Sequence, residues 1–110
     1  MEIIKGRRHV YIVSVREEND AFDLAGYDAE LVLCRGAGSE PTLKKKGTVG
    51  QPSSGNVEFT LLPEDLVAAE AGHYRFEVNI WKTEDDTVVY TPVEGSLELR
   101  EALHGNPATV

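Results

Sequence analysis

The stretch "AGHYRFEVNIW", Ala71 to Trp81, decides the fold. From Tyr74 onward the residues alternate, with Tyr74, Phe76, Val78 and Ile80 on one side and Arg75, Glu77 and Asn79 on the other. A period of two marks a half-buried strand, because successive side chains leave opposite faces of the backbone. The pattern recurs at short intervals: "RHVYIVSVR" from Arg8, "YDAELVLCR" from Tyr27, "PTLKKKGTV" from Pro41, "NVEFTLL" from Asn56, "TVVYTPV" from Thr87 and "GSLELR" from Gly95. Seven short strands separated by turn residues predict an all-β chain, an antiparallel β-sandwich rather than an alternation of helices and strands.

The predicted core follows from the apolar faces: Tyr11, Val13 and Val15; Ala29, Leu31 and Leu33; Val57, Phe59 and Leu61; Val93, Leu97 and Leu99. One segment departs from strand periodicity. In "LPEDLVAAEA", Leu62 to Ala71, Pro63 can open a helical turn, and Glu64 and Asp65 suit its amino-terminal end. Leu66, Val67 and Ala69 can then cover the sandwich, so this segment is expected to be one short helical crossover. "CRGAGSEP" and "GTVGQPSSGN" surround the third strand with Gly and Ser, which marks it as an edge. Its triple lysine, Lys44, Lys45 and Lys46, fits an edge protected from pairing with other chains. Residues 1–101 form the expected domain, and 102–110, "ALHGNPATV", a flexible carboxy-terminal tail.

Tyr74 invites either a catalytic or an architectural reading. A tyrosine near the start of a late strand in a Greek-key sandwich often closes a corner, ring inward and hydroxyl bonded to backbone a few residues upstream. Gly72, two positions earlier, would let the chain turn there. Gly72 and Tyr74 are therefore read as a structural corner.

Length and charge bound the function. A chain of 110 residues fits one domain, able to bury roughly two-thirds of its unfolded surface. The single cysteine, Cys34, cannot form an internal disulfide, which suits synthesis in a reducing cytoplasm. No apolar run approaches the ~20 residues of a membrane helix, and the amino terminus lacks signal-peptide features. A net charge of -8 disfavours non-specific contact with phosphate backbones, so neither nucleic acid nor membrane is an expected partner.

Motifs for chemistry are weak. "GAGSEPTLKKKG" has glycines and lysines without the spacing, or the following helix, of a phosphate loop. His9, His73 and His104 have no metal-pair spacing and read as polar surface, and the carboxylates of "TEDDT" read as a solvated hairpin turn rather than a calcium loop. Cys34 reads as a small half-buried residue, and no nucleophile elbow surrounds any serine. No catalytic residue, cofactor or metal is expected. Trp81 falls on the polar side of its strand beside Asn79, where an indole suits a protein interface or a sugar-stacking platform. With Lys44, Lys45 and Lys46 it is a candidate contact residue.

In order, the chain carries Gly6, then Asp23, Leu24, Ala25, Gly26 and Tyr27, then Gly55 through Leu61, then Ala71, Gly72, Tyr74 and Val78, and finally Gly95, Leu97 and Leu99. This series resembles the small immunoglobulin-like domains of tailed-phage and prophage baseplates, similar to the amino-terminal domain of the baseplate upper protein family, over most of Ile3 to Arg100. Arg7, where an acidic residue is usual, and "EDDT", in place of a "D-x-x-G" hairpin turn, depart from it. The resemblance implies an immunoglobulin-like sandwich and a structural role in a virion, packed in a ring or trimer, with no catalytic residues to carry over. The expected function is thus a non-enzymatic assembly module, of a phage or prophage tail, that binds copies of itself or neighbouring subunits. The alternative is a carbohydrate- or ligand-binding module in which Trp81, Tyr90 and nearby carboxylates form a recognition surface.

Overall fold

A computed structural model describes residues 2–36 and 38–101, without the side chains of Asp86 and Val88. The expected tail, 102–110, lies outside the described residues. The described residues are all-β in nine strands: β1 (Glu2–Ile4), β2 (His9–Ser14), β3 (Arg16–Glu17), β4 (Asp20–Ala21), β5 (Tyr27–Cys34), β6 (Pro41–Lys46), β7 (Asn56–Leu61), β8 (Gly72–Lys82) and β9 (Asp85–Arg100). Five make one sheet in the order β1-β9-β8-β5-β6, while β2 pairs with β7 and β3 with β4. Strand β6 ends the large sheet, at the edge expected from its lysines.

The periodicities place the core. Val57, Phe59 and Leu61 of β7 and Val15 pack in one cluster with Leu31 and Leu33 of β5, Tyr74, Val78 and Ile80 of β8, and Leu97 and Leu99 of β9. Tyr11, Val13, Phe76 and Val93 lean on it half-buried. The inner side of the β2–β7 ribbon therefore faces the inner side of the five-stranded sheet. Gly55 fixes one end of that ribbon. It ends a 3-10 turn, Pro52–Ser54, with φ 71°, and a Cβ there would stand 2.6 Å from the Val15 carbonyl oxygen. Any side chain would meet both a disfavoured backbone conformation and a fixed main-chain atom.

The strand pattern needs three corrections. First, the sheet is mixed rather than purely antiparallel, because β1 runs parallel to β9, with Ile3 opposite Leu99. The alternation read from the sequence begins at Arg8 and leaves Glu2–Ile4 unassigned. The outer edge of β1 is closed by side chains from β2: the Tyr11 hydroxyl donates to the Glu2 carbonyl at 3.2 Å, and His9 Nε2 lies 3.2 Å from the Ile4 amide and 3.3 Å from its carbonyl. His9 is thus half-buried against backbone and stacked beside Tyr11, not simply polar surface. Burial pushes the Tyr11 phenol up from its ordinary value.

Second, "TVVYTPV" and "GSLELR" form one sixteen-residue strand, β9, because Gly95 continues the ladder opposite Phe76 instead of breaking it. Third, the expected helical crossover at Leu62 to Ala71 is absent. Two isolated turns replace it, closed by Asp65 N–H to the Leu62 carbonyl at 3.0 Å and Ala69 N–H to the Leu66 carbonyl at 3.1 Å. The Asp65 carboxylate instead accepts from the Leu62 amide at 2.7 Å and from Lys45 Nζ at 2.9 Å, tying the connection down to β6. Leu66 is buried, while Val67 points to solvent. So short a segment, held at these points, gains little from nucleating a helix.

Candidate functional site

The residues singled out in the sequence separate into three places. Gly72 and Tyr74 stand at the start of β8. Tyr74 is 3% exposed and its hydroxyl donates to the Glu70 carbonyl at 2.7 Å. Gly72 has φ 140°, in the region that favours glycine. Arg35 lies over the Tyr74 ring, 4.8 Å from its centroid, and its Nη2 is 3.1 Å from the Glu70 carboxylate. Cation, ring and carboxylate thus lock the connection before β8.

The lysine triplet does not act as a unit, because a strand alternates its faces. Lys45 is opposite Leu31, on the inner side, and pairs with Asp65. Lys44 and Lys46 stand opposite Val32 and Glu30, on the outer side. Burial raises the Asp65 carboxyl, but the hydrogen bonds from Lys45 and the Leu62 amide outweigh it and hold the group below its ordinary value.

Trp81 lies near the far end of β8, half-buried on the outer face of the large sheet. It stands between Asp28 of β5 and Val89 of β9. Its row is followed along the same face by Glu30 opposite Asn79, then Val32, Glu77 and Glu94 in line across three strands. Cys34, half-buried, borders a surface depression of about 300 Å³ with Arg75, Glu77 and Glu94. The face carries both signs, with Lys44, Lys46 and Arg75 among its carboxylates, and the Glu77–Glu94 pair sets like charges directly opposite each other, which costs stability.

Trp81 and Tyr90 do not share a face. The β8–β9 register runs Val78 to Val93, then Ile80 to Tyr90, so β9 carries one extra residue at Thr91 and Pro92. Without this bulge Tyr90 would stand opposite Trp81; with it, Tyr90 joins Ile80 on the inner side. There Tyr90 borders a depression of about 640 Å³ with Phe22, Tyr27, Pro92, Arg16 and Glu17. Phe22 and Tyr27 meet edge to face at 5.2 Å. A bulge is not visible as a break in hydrophobic pattern, although Pro92 within a run of strand formers is a cue to one.

Sequence reading also passed over the outer side of β2. Val10 is 48% exposed and Ile12 66% exposed. The signal was present in "HVYIVSV", which is apolar at both phases of the alternation rather than one. In the loop joining β8 to β9 the turn falls at Thr83 and Glu84. The Thr87 hydroxyl and amide donate to Asp85 at 2.6 and 3.1 Å and lower its carboxyl below the ordinary value.

Among the described residues, no three His, Cys, Asp or Glu side chains are grouped so as to hold a metal ion, and no helix is long and apolar enough to cross a membrane. No protein-family model matches the chain, and comparison with curated proteins found no match.

Proposed function

We propose that this chain is a non-enzymatic assembly module, built as an immunoglobulin-like sandwich, that serves as a tail or baseplate component of a phage or prophage through protein–protein contacts. One observation carries the assembly reading: Val10 and Ile12 are both exposed on the solvent side of a sheet only two strands wide. A strand apolar on both sides is suited to burial on both sides, and contiguous exposed apolar residues mark interaction surfaces. The phage and virion assignment rests on the ordered motif residues from Gly6 to Leu99 alone. Trp81 with its neighbour Val89, which is 53% exposed, adds a second candidate contact on the opposite layer.

Light scattering across a concentration series tests the reading. An oligomer whose mass falls when Trp81→Ala is introduced is the expected result. Sugar binding on a glycan array that Trp81→Ala abolishes, with the protein monomeric throughout, would overturn it. A second reading, a carbohydrate- or ligand-binding module, is favoured by the aromatic depression of Phe22, Tyr27 and Tyr90. Its volume and its mixture of aromatic wall and charged rim suit a small ligand. In that case Tyr90→Ala, not Trp81→Ala, removes binding.

A further inference from the structure

We propose that the open edge of β2 pairs, main chain to main chain, with β2 of a second copy of this chain, joining the two ribbons into one four-stranded sheet; this rests on the assembly reading above. The hydrogen bonds of β7 show which way the β2 backbone faces. Glu58 of β7 spends both main-chain groups on Thr48, its amide donating to the Thr48 carbonyl at 2.9 Å and its carbonyl accepting from the Thr48 amide at 2.8 Å. Those groups therefore point away from β2, and Ile12, which stands opposite Glu58, belongs to a pair without hydrogen bonds between its members. The amide and carbonyl of Ile12 point out of the ribbon. So do those of Val10 and Ser14, two residues away on either side, because the direction alternates along the strand. Among the described residues no second strand lies on this edge, and no turn bonds to these groups.

The other edges of the large sheet and of the ribbon are protected. Side chains from β2 cover β1, Thr48 covers β7, and lysines guard β6. β2 has none of these devices: from His9 to Ser14 it carries no lysine, carboxylate or proline, and Val10 and Ile12 on its solvent side are apolar and exposed. A bare edge of this kind is a template for another strand. The chain that follows β2 does not fill it, since the Phe22 amide donates to the Val15 carbonyl beside Gly55, on the β7 side.

The residues of β2 select a second copy as the partner. About a twofold axis at Tyr11, an antiparallel copy sets Val10 opposite Ile12 and Ile12 opposite Val10, with Arg8 opposite Ser14 at each end. Two apolar cross-strand pairs form on the outer face, and no like charges stand opposite each other. Moving the axis to Ile12 would set Val10 against Ser14 and leave a single apolar pair. The two copies of Arg8 end six strand residues apart, about 20 Å. Glu58 lies on the far side of Ile12 from the contact, so its two copies are at least three strand spacings apart, about 14 Å. Both separations exceed the ~8–10 Å over which surface charges act at ordinary salt. From Lys5 to Val15 the chain has no acidic residue, so in a molecule of net charge -8 the copies meet along a strand free of negative charge. Such a contact is isologous and closes at two copies.

Amide exchange of the whole chain, read by NMR at about 10 µM and about 1 mM, tests the pairing. Light scattering at the same concentrations is expected to rise from the 12.1 kDa monomer toward the dimer. The amides of Val10, Ile12 and Ser14 should slow at least twofold at the higher concentration, as for a contact half formed at a Kd of about 1 mM. Those of Tyr11 and Val13, which face β7, should not change. Ile12→Pro removes a donor that the monomer does not use and should weaken association at least tenfold, whereas Ile12→Thr keeps the amide and should weaken it far less. The exchange pattern is read on wild type and so stands even where Ile12→Pro fails to fold. Trp81→Ala, on the other sheet, should lower the mass no further than this dimer. Val10→Cys and Ile12→Cys chains, each also carrying Cys34→Ser, should crosslink faster when mixed than either does alone, and equal rates overturn the register. A mass that stays monomeric at about 1 mM overturns the proposal. So do Val10, Ile12 and Ser14 amides already slow at the lower concentration, which would show the edge covered within one chain. Association in which these amides exchange as freely as in the monomer overturns the edge pairing and leaves the assembly reading standing with a different contact.

Discussion

From Gly72 to Val78, β8 meets β9 in unbroken register, Gly72 opposite Leu99 and Val78 opposite Val93; from Ile80 to Lys82 the pairing slips twice. Each half contains a tyrosine with an inward direction. Tyr74, in the regular half, is 3% exposed and bonded to Glu70, with Arg35 over its ring. Tyr90, in the slipped half, is 52% exposed and borders an open depression. One hairpin thus has an end that fixes the core and an end that presents side chains to solvent. The ladder is kept where packing decides and broken where a side chain is re-aimed.

The comparison is broken most directly at Tyr74. Replacing it with Ala removes a buried ring and is expected to cost about 3–5 kcal/mol, as for other large aromatic side chains. Urea denaturation measures this, and a loss below about 1 kcal/mol would mean the corner is not part of the packed core. Tyr74→Phe keeps the ring and removes only the bond to the Glu70 carbonyl. It should cost roughly 1 kcal/mol.

Asp65 belongs to the same end, since it holds the connection that leads into Gly72. Asp65→Asn at neutral pH should cost about 1–2 kcal/mol, through the weakened bonds to Lys45 and the Leu62 amide. The pH dependence has a definite sign. The folded carboxyl titrates below its ordinary 3.8, so its contribution is present above that value and is lost as pH falls through the lower, folded one. In acid titrations followed by circular dichroism, the Asn variant should therefore approach wild type in stability below about pH 3.8. A difference that stays constant down to pH 2 would assign the loss to shape rather than charge.

Much of the fold was legible because its signals are local. Alternation in Tyr74 to Ile80, in Val57 to Leu61 and in Ala29 to Leu33 placed the inner faces, and the lysines of Pro41–Lys46 marked an edge. What failed depends on partners distant in the chain. Ile3 is buried through its pairing with Leu99, which three residues of local sequence cannot announce. The helix expected at Leu62 to Ala71 gave way to Asp65, whose partner Lys45 lies twenty residues earlier. The candidate contact residues were read one by one, and strand alternation divided the lysines between two faces. Tyr90 was expected near Trp81, and a single bulge residue moved it to the other side.

The smallest effect is expected at that bulged end. Tyr90 is half-exposed and among the described residues makes no hydrogen bond through its hydroxyl, so Tyr90→Ala should change stability by no more than about 0.5 kcal/mol. Chemical denaturation of this variant beside Tyr74→Ala compares two inward tyrosines of one hairpin under identical conditions. A near-zero cost means the extra residue at Thr91 and Pro92 keeps an aromatic ring for contact rather than for packing. A cost above about 1 kcal/mol would instead show that Tyr90 closes the space over Phe22 and Tyr27. The depression would then be part of the core's margin, and the ligand-binding alternative would lose the observation that favours it.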